Sequence, residues 1–211
     1  MHARRAEFHL QGPTLAARLP RADDAPALAR LGEPADALWP AWQAVGEPGP
    51  SWEAHVSDLC AERAAGHRLD LLFLDGAEAV VAAATLTELS AQDGRATATL
   101  WLADAVAASP GGTGAECVLL LAQLAFGSLG LARLGAQVPA GDAGTARAFV
   151  AAGFVAETTL RRWWRHDGEA VDVAGLALLA GEWAMLPQRP PVCVDGPIPS
   201  AVAATLAGSA R

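Results

Sequence analysis

A glycine-rich loop, Pro110-Gly111-Gly112-Thr113-Gly114, runs straight into an apolar stretch with Glu116 near its start. Glycines let the backbone turn tightly and bring successive N–H groups close to a ligand. The start of a helix adds N–H donors without intrahelical partners and the positive end of the dipole, and together these suit a phosphate group. From Cys117 to Phe126 almost every residue is apolar, which predicts a helix buried on most sides against a sheet. The same stretch also reads as an ordinary glycine-rich connection before a core helix, and a short motif alone does not separate the two.

Other chemistries find no support in the residue pattern. A dinucleotide fold would want a third glycine at position 117, which is cysteine, and an acidic residue ending the next strand. The Gly-Lys-Ser/Thr of a nucleotide-triphosphate loop and the Gly-x-Ser-x-Gly of a hydrolase elbow are both missing. Cys60, Cys117 and Cys193 are odd in number and far apart, with no metal-ligand spacing, so they are expected to be reduced, and neither a disulfide frame nor a metal is expected. The net charge is −8 and all 15 Lys/Arg positions are arginine, which gives no electrostatic reason to hold nucleic acid broadly. No apolar run reaches the roughly 18 residues of a membrane span, and the first twelve residues lack the apolar core of a secretory leader. The expected setting is the cytoplasm, away from membranes.

The elements that must position the loop can be taken in order. A short strand is expected over residues 14–19, then a helix over 25–31 capped by an aspartate, then a Pro/Gly-rich segment over 32–51 with Trp39 and Trp42. An amphipathic helix over 52–66 ends at a glycine. Asp-Gly dipeptides at 75–76, 93–94 and 167–168 accept the positive φ of tight hairpins. The first two predict a three-stranded antiparallel meander over 69–74, 79–89 and 95–102. After the loop helix, which runs to about Leu129 before Gly130, a strand over 133–138 implies a parallel neighbour reached by a crossover. Asp142 caps a helix over 143–152 stopped by Gly153, and the last Asp-Gly joins strands over 154–165 and 170–179. Beyond residue 184 the chain turns proline-rich and reads as an extended wrap or flexible tail rather than a strand, with a small terminal helix near 198–206. The 211 residues thus divide into an extension (1–13), a main domain (14–183) and a tail (184–211).

With that order and these motifs, the sequence resembles the GNAT superfamily of acyl-CoA-dependent N-acetyltransferases, and within it the RimJ/RimL-like group. Ser109-Pro110-Gly111-Gly112-Thr113-Gly114, with Glu116 after it, is similar to that family's Q/R-x-x-G-x-G/A loop. Asp142-Ala143-Gly144-Thr145, followed by Gly153-Phe154, matches its Asn-x-x-Ser pair and Gly-Phe. Asp167-Gly168 with Asp172, before Glu182-Trp183, matches a D-G-x-x-x-D hairpin and Glu-Trp. The resemblance implies an α/β (α+β) GNAT fold, a mixed central sheet splayed open in a V with helices on both faces. It implies acetyl-CoA as cosubstrate, lying in the split, with no metal. Pyrophosphate would be held by the loop from Ser109 through Gly111, Gly112, Thr113, Gly114 and Ala115, and Asp142 would lie near the pantetheine path.

The same resemblance implies transfer of an acetyl group to a primary amine by direct attack. The acceptor would be a protein N-terminus or a small molecule, and the chain a monomer or homodimer. Several positions depart from the family pattern. Ser109 replaces a long donor side chain, Asp142 replaces Asn, and Phe149 stands where many relatives carry a tyrosine general acid; the chain has no tyrosine. Thr145 keeps a hydroxyl that would protonate the departing thiolate, or else it only supports the helix start. Glu78, Glu88, Asp104 and His166 are candidates for proton acceptor, each also readable as a solvated surface group. Trp39, Trp42, Trp163 and Trp164 either wall an acceptor pocket or pack in the core. The competing reading is a catalytically degenerate GNAT-fold protein that binds acyl-CoA or regulates.

Overall fold

The computed structural model describes residues 8–31, 52–109, 112–166, 169–187, 189 and 191–208. The segment over 32–51 with Trp39 and Trp42, the turn residues Asp167 and Gly168, Gly111 of the loop and the His166 side chain lie outside the described residues.

Alternation and turn chemistry produce the expected meander. β3 (Leu69–Leu74), β4 (Val80–Ser90) and β5 (Arg95–Leu102) pair antiparallel in sequence order. Gly94 takes the left-handed φ of +61° that the second Asp-Gly predicts. At the first one the left-handed residue is instead Glu78, at φ 61°. The Asp75 carboxylate accepts from the amides of Ala77 and Ala79 at 2.9 and 3.0 Å, so its side chain sets this turn and Gly76 needs no unusual φ.

β1 (His9–Gln11) and β2 (Ala16–Arg18) extend this sheet on one side. β6 (Arg133–Pro139), β7 (Val155–His166) and β8 (Glu169–Leu179) extend it on the other. β9 (Cys193–Asp195) pairs with β1. The nine strands run in the order β7-β8-β6-β5-β4-β3-β2-β1-β9, and β5–β6 is the parallel pair. β9 corrects the reading of the proline-rich stretch as wrap or tail rather than strand. Three residues between prolines carry too little pattern to predict a strand, and β1 supplies the free edge that orders them.

Helices cover both faces. α1 (Ala25–Leu28) is shorter than expected, and Asp24 before it makes no side-chain cap. Its carboxylate instead grips the Arg18 guanidinium twice at 2.6 Å and accepts from the Arg21 amide at 2.7 Å. Burial alone would raise the Asp24 pKa, but the hydrogen bonds from Arg18 and Arg21 override it and hold the carboxyl below the usual range. α2 (Trp52–Ala65) ends at Gly66, whose φ of 80° fits a helix stop. α1 and α2 pack Leu28, Val56 and Leu59 on Leu72 and Ala83 of the sheet.

The opposite face carries the larger core. α4 (Thr113–Ala122), continued by a π turn over Gln123–Ser128, and α5 (Ala143–Ala151) lie here on residues such as Leu71, Phe73, Ala98, Leu100, Leu134 and Ala136. α6 (Ala180–Met185) and α7 (Ser200–Gly208) add Trp183 and Val202 to the same core. α3 (Asp104–Ala108), a single short turn between β5 and the loop, was not legible in the sequence.

The rungs between β5 and β6 run from Arg95–Arg133 only to Ala98–Ala136. β5 continues to Leu102 along β4, and β6 continues to Pro139 along β8. The two central strands therefore part after Ala98 and Ala136. This is the mixed sheet splayed in a V with helices on both faces.

Candidate functional site

Beside the open end of the split lies a cavity of about 720 Å³, walled by the end of β5, α3, the glycine loop, the first turn of α4 and one side of α5. Two glycines bring its walls together. A Cβ on Gly114 would stand 3.1 Å from Ala148 Cβ and 3.2 Å from Leu102, and one on Gly144 would stand 2.8 Å from the carbonyl oxygen of Ala107. These glycines let α4, α5 and α3 approach closely. Gly112, which also lines the cavity, differs: a Cβ there would meet nothing within 4 Å.

The first helical rung of α4 is Glu116 N to Gly112 O at 2.8 Å. The amides of Thr113, Gly114 and Ala115 precede that rung, at the positive end of the helix. Ser109, Gly112, Gly114 and Ala115 line the cavity, whereas Thr113 opens the helix outside its walls. Arg147 also lines it, held by a 2.8 Å bond from its guanidinium to Ala107 O. No carboxylate is among the described wall residues. In an overall acidic chain the start of α4 and, among the described residues, the Arg147 cation thus meet at this cavity, a setting that suits a phosphate. Arg147 was missed in the sequence because nothing but the α3–α5 packing brings it to the loop.

The other motif residues have structural partners. Glu116 reaches away from the cavity and accepts from the Thr14 and Leu15 amides at 2.8 and 2.9 Å and from the Thr14 hydroxyl, clamping the β1–β2 turn to α4. Asp142 caps α5, its Oδ1 accepting from Thr145 N at 2.9 Å. Thr145 is buried and its hydroxyl has no partner, yet it is not among the cavity walls. Phe149, one turn on, is fully buried against Phe154. Asp172 holds a bulge in β7, accepting from the amide of Arg162, whose φ is +52°.

A second, smaller hollow of about 200 Å³ lies over β5, β6, β7 and β8, with Thr97, Gly135, Gln137 and Gly175 among its lining residues. The core residues Ala96, Ala98, Leu134 and Ala136 alternate with Thr97, Gly135 and Gln137, which places these three on the face opposite α4 and α5. At its rim Arg133 pairs with Glu157 through both guanidinium nitrogens. The Arg133 hydrogen bond holds the Glu157 carboxyl below its usual range, so this group is ionised and engaged. Glu88, on a bulge with φ 51°, accepts from the Thr97 hydroxyl at 2.7 Å. Glu78 belongs to the β3–β4 turn, Asp104 opens α3 on the surface, and Trp163 is 58% exposed on β7. Among the described residues no group of three or more His, Cys, Asp or Glu is placed to hold a metal, and no helix is long and apolar enough to cross a membrane.

No family model matches the chain, and no curated protein matches it. Solved structures do. A "Probable acetyltransferase" is similar at a TM-score of 0.67 and 20% identity, over 81% of this chain and 96% of that one. A chimera of the spermidine N-acetyltransferase SpeG from Vibrio cholerae and hSSAT is similar at a TM-score of 0.68 and 15% identity, over 82% and 99%. The spermidine N-acetyltransferase from Vibrio cholerae in complex with CoA and spermine is similar at 0.66 and 16%, over 81% and 98%. At such identities the likeness is one of fold, and it establishes that this chain has the mixed α/β GNAT fold of these acetyltransferases.

Proposed function

We propose that the protein is an acetyl-CoA-dependent N-acetyltransferase, akin to the RimJ/RimL-like group, that acetylates a primary amine by direct attack. The observation that carries this reading is the split between β5 and β6, with a donor-lined cavity beside it and a second hollow on the opposite sheet face. Acetyl-CoA supplies a thioester whose carbonyl carbon accepts the amine while its sulfur leaves. The amides opening α4, with Ser109 and Arg147, hold the phosphates. The split gives an amine on the opposite face a path to the acyl group, in line with direct attack.

Two protons must be accounted for. The amine loses one as the C–N bond forms, and the thiolate gains one as the C–S bond breaks. The Thr145 hydroxyl is the proposed donor to sulfur, supported by its burial without a partner at the start of the helix that follows β6. The surplus proton on nitrogen returns through water to the Thr145 oxygen, which balances the cycle. Acceptors of the proposed class are polyamines, as named for the spermidine N-acetyltransferase neighbours, and the free amino terminus of a protein. The reduced cysteines expected from their number and spacing fit a cytoplasmic setting.

The test is release of free thiol from acetyl-CoA with spermidine or a short peptide as acceptor, beside calorimetry of acetyl-CoA. Thr145→Val keeps shape and removes only the donor, so acetyl-CoA affinity is expected to hold while turnover falls by roughly 10²–10⁴-fold. Thr145→Ser should retain most activity. If the Val variant is as fast as the parent, the proton comes from elsewhere. A parent that binds acetyl-CoA but never releases thiol favours a binding module instead.

A further inference from the structure

Among the described residues, two buried side-chain oxygens have no hydrogen-bond partner: Oγ1 of Thr145 and Oγ1 of Thr99. Leaving such an atom unpaired is costly, so its persistence calls for an explanation, and an absent ligand is one. Thr145 enters the proton step above, whereas Thr99 has no part in it. Thr99 is 4% exposed and is the first residue of β5 beyond the last rung to β6, at the vertex of the split. Ala98 and Leu100 on either side of it face the core under α4 and α5. Strand alternation therefore turns Thr99 to the opposite face, on which Thr97, two residues earlier, lines the smaller hollow; Thr99 itself is not one of its lining residues.

The neighbours on that face are already occupied. The register sets Thr85 beside Thr99, and Asp70 beside Thr85. The Thr85 hydroxyl donates to Asp70 Oδ1 at 2.7 Å, and Arg68 grips the same carboxylate through Nε at 3.0 Å and a terminal nitrogen at 2.6 Å. Arg68, Asp70 and Thr85 form a buried, mutually satisfied row. It stops one strand short of the split, and Thr99 is left with its hydroxyl unpaired where the strands part.

We infer that Thr99 Oγ1 receives an N–H hydrogen of the acceptor amine, an inference that rests on the acetyltransferase reading. An attacking primary amine must aim its lone pair at the thioester carbon, which leaves its N–H bonds to be held by the protein. A neutral hydroxyl oxygen on the acceptor face of the vertex does this without the added Coulombic preference that a carboxylate would give to an ammonium, whose nitrogen has no lone pair for attack. The C–N bond forms and the C–S bond breaks as above. The nitrogen's surplus proton goes to water, and Thr99 keeps its own proton throughout. Thr99 is thus a substrate contact, whereas the Arg68–Asp70–Thr85 row ties β3 to β4 and takes no part in the reaction.

Thr99→Val replaces an unpaired hydroxyl with a methyl group of equal size, so the melting temperature should stay level or rise. Acetyl-CoA affinity by calorimetry should stay within about twofold, while kcat/KM for spermidine or a peptide amine falls about 10–100-fold, the range of a lost substrate hydrogen bond. Thr99→Ser should restore most of it. Thr85→Val, whose hydroxyl serves Asp70, should instead lower the melting temperature and leave turnover near the parent's. Parental kcat/KM in Thr99→Val, with a parent that binds acetyl-CoA and acetylates the amine, overturns the inference alone. Loss of acetyl-CoA affinity in that variant reassigns the hydroxyl to the cofactor side and also overturns it. A parent that fails to bind acetyl-CoA, or binds it and acetylates neither amine, overturns the catalytic reading and this inference with it.

Discussion

At the scale of single residues, the glycines of the loop have separate tasks that their shared motif conceals. Gly112 lines the cavity and a Cβ there would touch nothing, so Gly112→Val adds bulk at the cavity wall without a clash inside the protein. Loss of acetyl-CoA binding with a near-parental melting temperature is expected, and unchanged affinity in calorimetry would remove the cradle. Gly114 is a packing residue, close to Ala148 and Leu102. Gly114→Val should therefore lower the melting temperature as well, since overpacking costs roughly 1–3 kcal/mol. Arg147 offers a second check. It is the cation lining the cavity, and Arg147→Gln should weaken acetyl-CoA about tenfold, the size of one partly exposed charge-assisted bond. That loss should shrink in high salt, whereas a salt-independent loss would point to the Ala107 contact instead.

At the scale of elements, side-chain clamps hold the short pieces that propensity alone would not. Glu116 ties the β1–β2 turn to α4, and a Cβ on Gly12 would stand 2.7 Å from its Oε1, so a side chain there would have to displace the clamp. Asp24 does the same for the entry to α1 through Arg18 and Arg21. Its pKa is lowered in the folded state, so its stabilisation is present above the unfolded value near 4 and fades as pH falls through the folded one. Asp24→Asn should cost about 2 kcal/mol at neutral pH, in the range for hydrogen bonds to charged groups. Urea unfolding at pH 7 and pH 2.5 checks this: the gap between parent and variant should close in acid, and a gap that persists would assign the effect to packing.

At the scale of the whole molecule, the two chain ends complete the sheet. β9 covers the edge of β1, and Val202 of α7 is fully buried in the main core. Deleting residues 193–208 should uncover that edge and remove one buried Val, worth about 1.5–3 kcal/mol. A lower melting temperature and light scattering at high concentration are expected; an unchanged melting temperature and particle size would show that this segment is dispensable. The fold class was legible in the sequence because its signals are local. The Asp-Gly at 93–94 marks a hairpin, Gly66 and Gly153 stop helices, and Asp142 caps one, each through a bond or dihedral spanning a few residues. The glycine loop and the helix it opens were legible for the same reason. What waited for the tertiary structure was everything that depends on partners distant along the chain. β9 is ordered by β1, Arg147 reaches the loop only through packing, and Glu116 turns from the loop to Thr14 and Leu15. Thr99 reads as one more alternating strand residue. Only the parting of β5 from β6 leaves its hydroxyl buried and unpaired, because a rung that fails to form has no mark in either strand's own sequence.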